Sequence, residues 1–279
     1  MYVSCQKWHC CFGQRLIGNA IIRLRSEVNM KRIIYLFLVL IITSCKTDMN
    51  EIEQLKYSKA DLKPLHDATK NQYYQDAAFI EFEELIKDSI KKANQVELNE
   101  NSILSYYDDL LYIYNNSFKI SNTFFEYAAL LHSYASSVLY QITLTVDTNK
   151  SWSSNWKNGM KSTGLQEIDS IIYNHNLDVR FVFESQGKYW YEIKSKAPLN
   201  YLSLIKKLKE TEEFVYVEPT VLIGGGSNIS FKIENNYRHY KYYYGWGDCP
   251  SGCINYHYWT VELKGEEIIL VEEGGYPLN

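Results

Sequence analysis

The spacing of apolar residues in this 279-residue chain predicts an α+β fold in three blocks: helices, a mixed segment and an antiparallel meander. Three observations carry that expectation. Apolar positions recur at three- and four-residue steps through residues 73–139, as in helices that bury one face. From residue 140 the period drops to two and then alternates with helical stripes. Beyond Gly224-Gly225-Gly226 only period-two segments remain.

In the first block Ala78, Phe79, Phe82, Leu85, Ile86 and Ile90 form one amphipathic stripe. Asn101-Ser102 is the expected cap of a second helix carrying Leu104, Tyr107, Leu110, Leu111 and Tyr114. Phe124, Phe125, Ala128, Leu131 and Ala135 continue the spacing in a third, giving a small helical bundle.

The middle block opens on Ile142, Leu144 and Val146 alternating with Thr143 and Thr145, a half-buried strand. Thr163 and Gln166 have capping-box spacing before a helix with Ile168, Ile171 and Ile172. Residues 179–183 and 189–193 are strands around the turn Ser185-Gln186-Gly187. Asn200 stands as N-cap of the next stripe, Tyr201, Leu204, Ile205 and Leu208, and residues 214–217 form a strand that Pro219 stops. Strand, helix, strand, strand, helix, strand is the ferredoxin-like βαββαβ order, expected over residues 140–220.

Gly224-Gly225-Gly226 reads as a flexible joint to the last block, residues 227–279. There residues 229–233, 240–246, 256–263 and 267–271 are four short strands in meander order, with Lys264-Gly265 in a tight turn. His257, Trp259, Val261 and Leu263 share one face of the third, the expected buried face.

The N-terminal part has another logic. Met30 is followed by the basic Lys31 and Arg32, an apolar run over residues 33–42, and Ile42-Thr43-Ser44-Cys45. The run is too short for a span of roughly 20 residues, and its flanks fit a signal peptide. The sequence resembles a bacterial lipoprotein signal, with residues 30–44 removed and Cys45 lipid-modified (diacylglyceryl, palmitate). That implies a cell-envelope protein anchored in a bilayer, at the outer membrane facing the periplasm or the surface. Lys46 and Asp48 resemble the sorting signals that send some lipoproteins outward. Residues 1–29 carry Cys5, Cys10 and Cys11 without periodicity and read as untranslated upstream sequence, and residues 45–72 as a tether. From Cys45 on, 23 Lys and Arg face 32 Asp and Glu, a formal net charge near −9. Such a charge argues against nucleic acid or an anionic membrane surface as partner.

Leu204 to Pro219, ending Phe214-Val215-Tyr216-Val217-Glu218-Pro219, resembles the end of subtilase propeptides of the I9-inhibitor type. The resemblance implies a ferredoxin-like fold whose exit segment enters a protease cleft. Here that segment is Pro219, Thr220, Val221 and Leu222, running toward Gly224. A longer stretch is similar to an uncharacterised group of bacterial lipoproteins: Asp147, Trp152, Trp156, Thr163-Gly164, Ile168-Asp169, Glu218-Pro219, the motif from Gly245 through Trp246, Gly247, Asp248, Cys249 and Cys253 to Ile254, and Trp259. It implies compartment and architecture, not chemistry.

Past Cys45 only Cys249 and Cys253 remain, flanking Pro250-Ser251-Gly252. In an oxidising compartment they read first as a disulfide; a redox pair, or a metal site with Asp248 and His257, is the competing reading, although no second ligand pair is present. Tyr242, Tyr244 and Trp246, with Tyr256 and Tyr258, form either an exposed aromatic platform for sugars or peptides, or cross-strand packing within the sheet. Asp108-Asp109 and Glu83-Glu84 are adjacent on helices, so they read as solvated faces and not as an acid–base pair. Asp88-Ser89-Ile90 and Asp169-Ser170-Ile171 resemble short bacterial O-glycosylation sites. No phosphate loop, nucleophile elbow or metalloprotease spacing appears, and no cofactor or catalytic residue is assigned. The expectation is a non-enzymatic envelope lipoprotein that binds protein or peptide in the manner of a protease inhibitor. The alternative is a glycan-binding lipoprotein that uses the C-terminal aromatics.

Overall fold

The computed structural model describes residues 65–87, 94–220 and 224–278. The signal, Cys45, nearly all of the tether, Ile90, Asp88-Ser89 and the exit residues Val221 and Leu222 lie outside the described residues.

Helices α1 (Asp67–Lys87) and α2 (Glu100–Asn115) pack together through the expected stripes, with Ala78, Phe82, Leu85, Leu110 and Leu111 buried. Ile86 and Leu104 fall at the edge of those stripes and are exposed. The cap of α2 is Asn99, not Asn101-Ser102: its side-chain oxygen accepts from Asn101 N at 3.0 Å and Ser102 N at 3.4 Å. Such a cap contributes about 1 kcal/mol. The third helix is shorter than expected. Ser121 caps α3 (Asn122–Tyr127), and the chain then breaks into 3-10 turns at Ala128–Leu130 and Tyr134–Tyr140. Phe124, Ala128 and Leu131 are still buried, whereas Phe125 turns outward.

The middle block is ferredoxin-like. Strands β1 (Gln141–Asp147), β2 (Leu177–Ser185), β3 (Lys188–Ser195) and β4 (Tyr216–Pro219) form an antiparallel sheet in the order β2-β3-β1-β4. The short α4 (Ser153–Lys157) and α5 (Gln166–Asn174) follow β1, and α6 (Tyr201–Glu210) follows β3. Asn200 caps α6 as expected, accepting from Ser203 N at 3.2 Å. Helix α5 has no capping box: Thr163 Oγ1 accepts from Leu165 N, and Asp169 gathers the preceding loop instead. Ile168 and Ile172 of α5 with Leu204, Ile205 and Leu208 of α6 cover Ile142, Leu144, Val146, Tyr191, Ile193 and Val217. The opposite face of the sheet is turned to solvent.

Strands β5 (Asn228–Glu234), β6 (Tyr237–Trp246), β7 (Asn255–Lys264) and β8 (Glu267–Gly275) form the C-terminal meander. Its inner face, with Phe231, Tyr240, Tyr242, Trp259, Val261 and Leu263, shares one core with α1, α2 and α3. His257 is on that face and buried, as the alternation implied. The ferredoxin-like unit therefore lies, in sequence, between two segments that complete each other. Residues 94–99 also belong partly to it: Val96 enters its core, Glu97 bridges Leu199, and Asn200 N donates to Val96 O at 2.8 Å.

Gly224-Gly225-Gly226 is a close contact and not a loose joint. Gly225 N donates to Cys249 O, and a Cβ on Gly226 would lie 2.5 Å from Tyr134 Cβ. Among the described residues no helix is long and apolar enough to cross a membrane.

Candidate functional site

Cys249 and Cys253 are joined as a disulfide, their Cα atoms 3.9 Å apart. The bond closes the turn after β6, where Gly245 approaches so closely that a Cβ there would lie 2.8 Å from Cys253 Sγ. With both sulfurs committed to the bond, the metal reading loses its thiolates, whereas a redox pair in its oxidised form is this same disulfide. His257 is committed as well: Nδ1 is 2.8 Å from Tyr276 O, and Nε2 is 3.3 Å from Glu273 Oε1. Among the described residues no group of three or more His, Cys, Asp or Glu is arranged for a metal ion.

The C-terminal aromatics do not form an open platform. Even-numbered residues of β6 face the helices, so Tyr242 is 2% exposed and packs edge-on against Phe124. Tyr244 packs on Tyr127 and stacks with Trp246 at 5.5 Å on the rim of the same core. Tyr256 is on the outer face, apart from that row, and Tyr258 is under Lys241, whose Nζ is 3.8 Å from its ring centre. Tyr242 and Tyr244 are thus packed against the helix Asn122–Tyr127 rather than against rings of a neighbouring strand.

The exit segment is ordinary sheet at its described start. Pro219 pairs with Ile142 as the end of β4, and Thr220 Oγ1 lies 3.3 Å from Thr143 Oγ1. Gly224, the next described residue, is held against Cys249 and Pro250. Both described ends are fastened within the chain.

Asp109 is no solvated acid. It is 1% exposed, 2.9 Å from the Arg238 guanidinium, and accepts the Tyr240 hydroxyl. Burial first and the Asp109 charge second push the Tyr240 phenol well above its usual value, so it remains a donor. On the same helix–sheet core Asp76 accepts from Ser133 N at 2.7 Å and lies 2.6 Å from His132 Nδ1. Burial raises the Asp76 carboxyl above the ordinary range, with His132 and Ser133 pulling the other way. The Asp109 group binds α2 to β6, and the Asp76 group binds α1 to the turn at His132-Ser133.

The surface that sequence reasoning missed is the open face of the ferredoxin-like sheet. A β-bulge between Phe181 and Phe183 reverses the side-chain parity of β2. Phe183 thereby leaves the core face and pairs with Trp190 on the outside. Trp190 pairs in turn with Thr145, and Thr145 with Tyr216, so one row crosses all four strands. Phe183 and Trp190 stack at 5.2 Å, and Trp190 and Tyr216 close to 6.1 Å over Thr145. Phe183 remains 46% and Tyr216 38% exposed, while Thr145 is 1% exposed with a hydroxyl that has no hydrogen-bond partner. The next outward row is Arg180, Glu192, Thr143 and Glu218. Glu192 is 3.1 Å from Lys194 Nζ and 3.9 Å from Arg180, and Glu218 accepts from Lys209 at 2.7 Å. Each carboxylate keeps acceptor positions toward solvent.

No family model, no curated protein and no solved structure matches this chain.

Proposed function

We propose that this chain is a non-enzymatic binding protein of the bacterial cell envelope, anchored through a lipid on Cys45, that holds an extended ligand on the open face of its ferredoxin-like sheet. The observation that carries the reading is the row Phe183, Trp190 and Tyr216, aromatic surface left to solvent beside a polar row. Contiguous exposed apolar surface rimmed by polar residues is a common mark of an interaction site. An inhibitor-like use of residues 219–224 is the weaker reading, because Pro219 is paired in β4 and Gly224 is packed under the disulfide turn. The anchor rests on the order of basic, apolar and small residues before Cys45.

Retention of the detergent-solubilised full chain on immobilised cell-surface extract tests the site. The triple variant Phe183→Ser, Trp190→Ser, Tyr216→Ser is expected to lose retention at least about tenfold with unchanged circular dichroism. Equal retention by both proteins would refute the assignment of this face. Mass spectrometry of the membrane fraction tests the anchor: an acylated Cys45 is expected, and an unmodified cysteine there rules it out.

A further inference from the structure

Resting on that reading of the open face, we infer that its ligand is an uncharged polysaccharide chain laid across the strands. The surface is two-sided in a way that suits such a chain. The ring row offers apolar edges and the free side of Phe183 to sugar C–H groups. The neighbouring row offers Arg180 as donor and Glu192 and Glu218 as acceptors. Two-residue steps along a strand separate the rows by about 7 Å, and four strands span about 14 Å. A hydroxyl-rich chain both donates and accepts, and so satisfies both members of such a row. A polyanion is offered little net attraction, because the charges of this row are already matched, Glu192 by Lys194 and Arg180 and Glu218 by Lys209. An extended peptide is fitted less well: it gains its affinity by pairing with a strand edge, and the rings lie on the face, reached by side chains alone.

Titration calorimetry of the detergent-solubilised full chain tests this. The probes are cellohexaose, laminarihexaose, xylohexaose, mannohexaose and chitohexaose, with a random decapeptide mixture and dermatan sulfate in parallel. At least one neutral hexasaccharide is expected to bind, and both Trp190→Ala and Glu192→Gln to weaken it about tenfold. Phe183→Ser, at the exposed sheet edge, serves if the Trp190 variant fails to fold. Decapeptide binding that depends on Trp190, without saccharide binding, overturns the polysaccharide assignment and leaves the face as the site. Dermatan sulfate binding through the same residues overturns it too. Absence of binding by every probe, or saccharide binding indifferent to all three substitutions, overturns the polysaccharide assignment; in the second case the open face falls with it.

Discussion

Arg238 on β6 lies 2.9 Å from Asp109 on α2, both nearly excluded from water, and so ties the last sheet to the first helices, segments that the ferredoxin-like unit separates in sequence. Removing Arg238 leaves the Asp109 carboxylate buried without its counter-charge, which costs about 3–5 kcal/mol. Arg238→Met is therefore expected to lower the urea midpoint sharply. Adding Asp109→Leu should restore part of the loss, because no buried charge then remains and only the Tyr240 hydroxyl loses its acceptor. A double variant as unstable as the sum of the single ones would contradict the pairing.

Gly226→Ala places a Cβ 2.5 Å from Tyr134 Cβ and 2.8 Å from its Cγ, the root of the side chain rather than its mobile end. Backbone must shift, at a cost of about 1–3 kcal/mol. A lowered melting temperature is expected, whereas a true flexible joint would tolerate alanine with no change.

The Cys249–Cys253 bond closes a five-residue loop, and its removal as Cys249→Ser, Cys253→Ser is expected to cost about 2 kcal/mol in the chain-entropy model. Thiol titration of the exported, denatured protein without reductant should find neither cysteine free. Two reactive thiols would exclude the bond.

Asp169 accepts from Ser162 Oγ at 2.6 Å, Thr163 N at 2.7 Å and Gly164 N at 3.0 Å. Partial burial raises its pKa, but these bonds together outweigh it and hold the carboxyl below its ordinary value. A carboxylate whose folded pKa is depressed contributes stability that is present above the unfolded pKa and is lost as pH falls through the folded one. Asp169→Asn should therefore be less stable than the parent at neutral pH, with the gap closing below about pH 4. Urea midpoints measured from pH 7 to pH 2.5 check the slope; a constant gap would mean that the charge is not involved.

The ferredoxin-like unit was legible because each element carries its own period. Ile142, Leu144 and Val146 alternate, Leu204, Ile205 and Leu208 follow a helical stripe, and Gln186-Gly187 adopts the positive φ values of a two-residue hairpin turn. What stayed hidden depends on distant partners or on parity. Nothing local to Asp109 announces Arg238, so an acid on a helix reads as solvated. Tyr242 and Trp246 look alike in sequence, and only the helices seated on β6 decide that the first is buried. Simple alternation puts Val179, Phe181 and Phe183 on one face; the single bulge residue Val182 moves Phe183 to the other and creates the aromatic row.

Amide hydrogen exchange of the full chain, with and without the cell-surface extract, tests the binding face most directly. Protection gained in β2, β3 and β4 is the expected result. Protection confined to residues 219–224 or to the C-terminal sheet, or no protection at all, would contradict it.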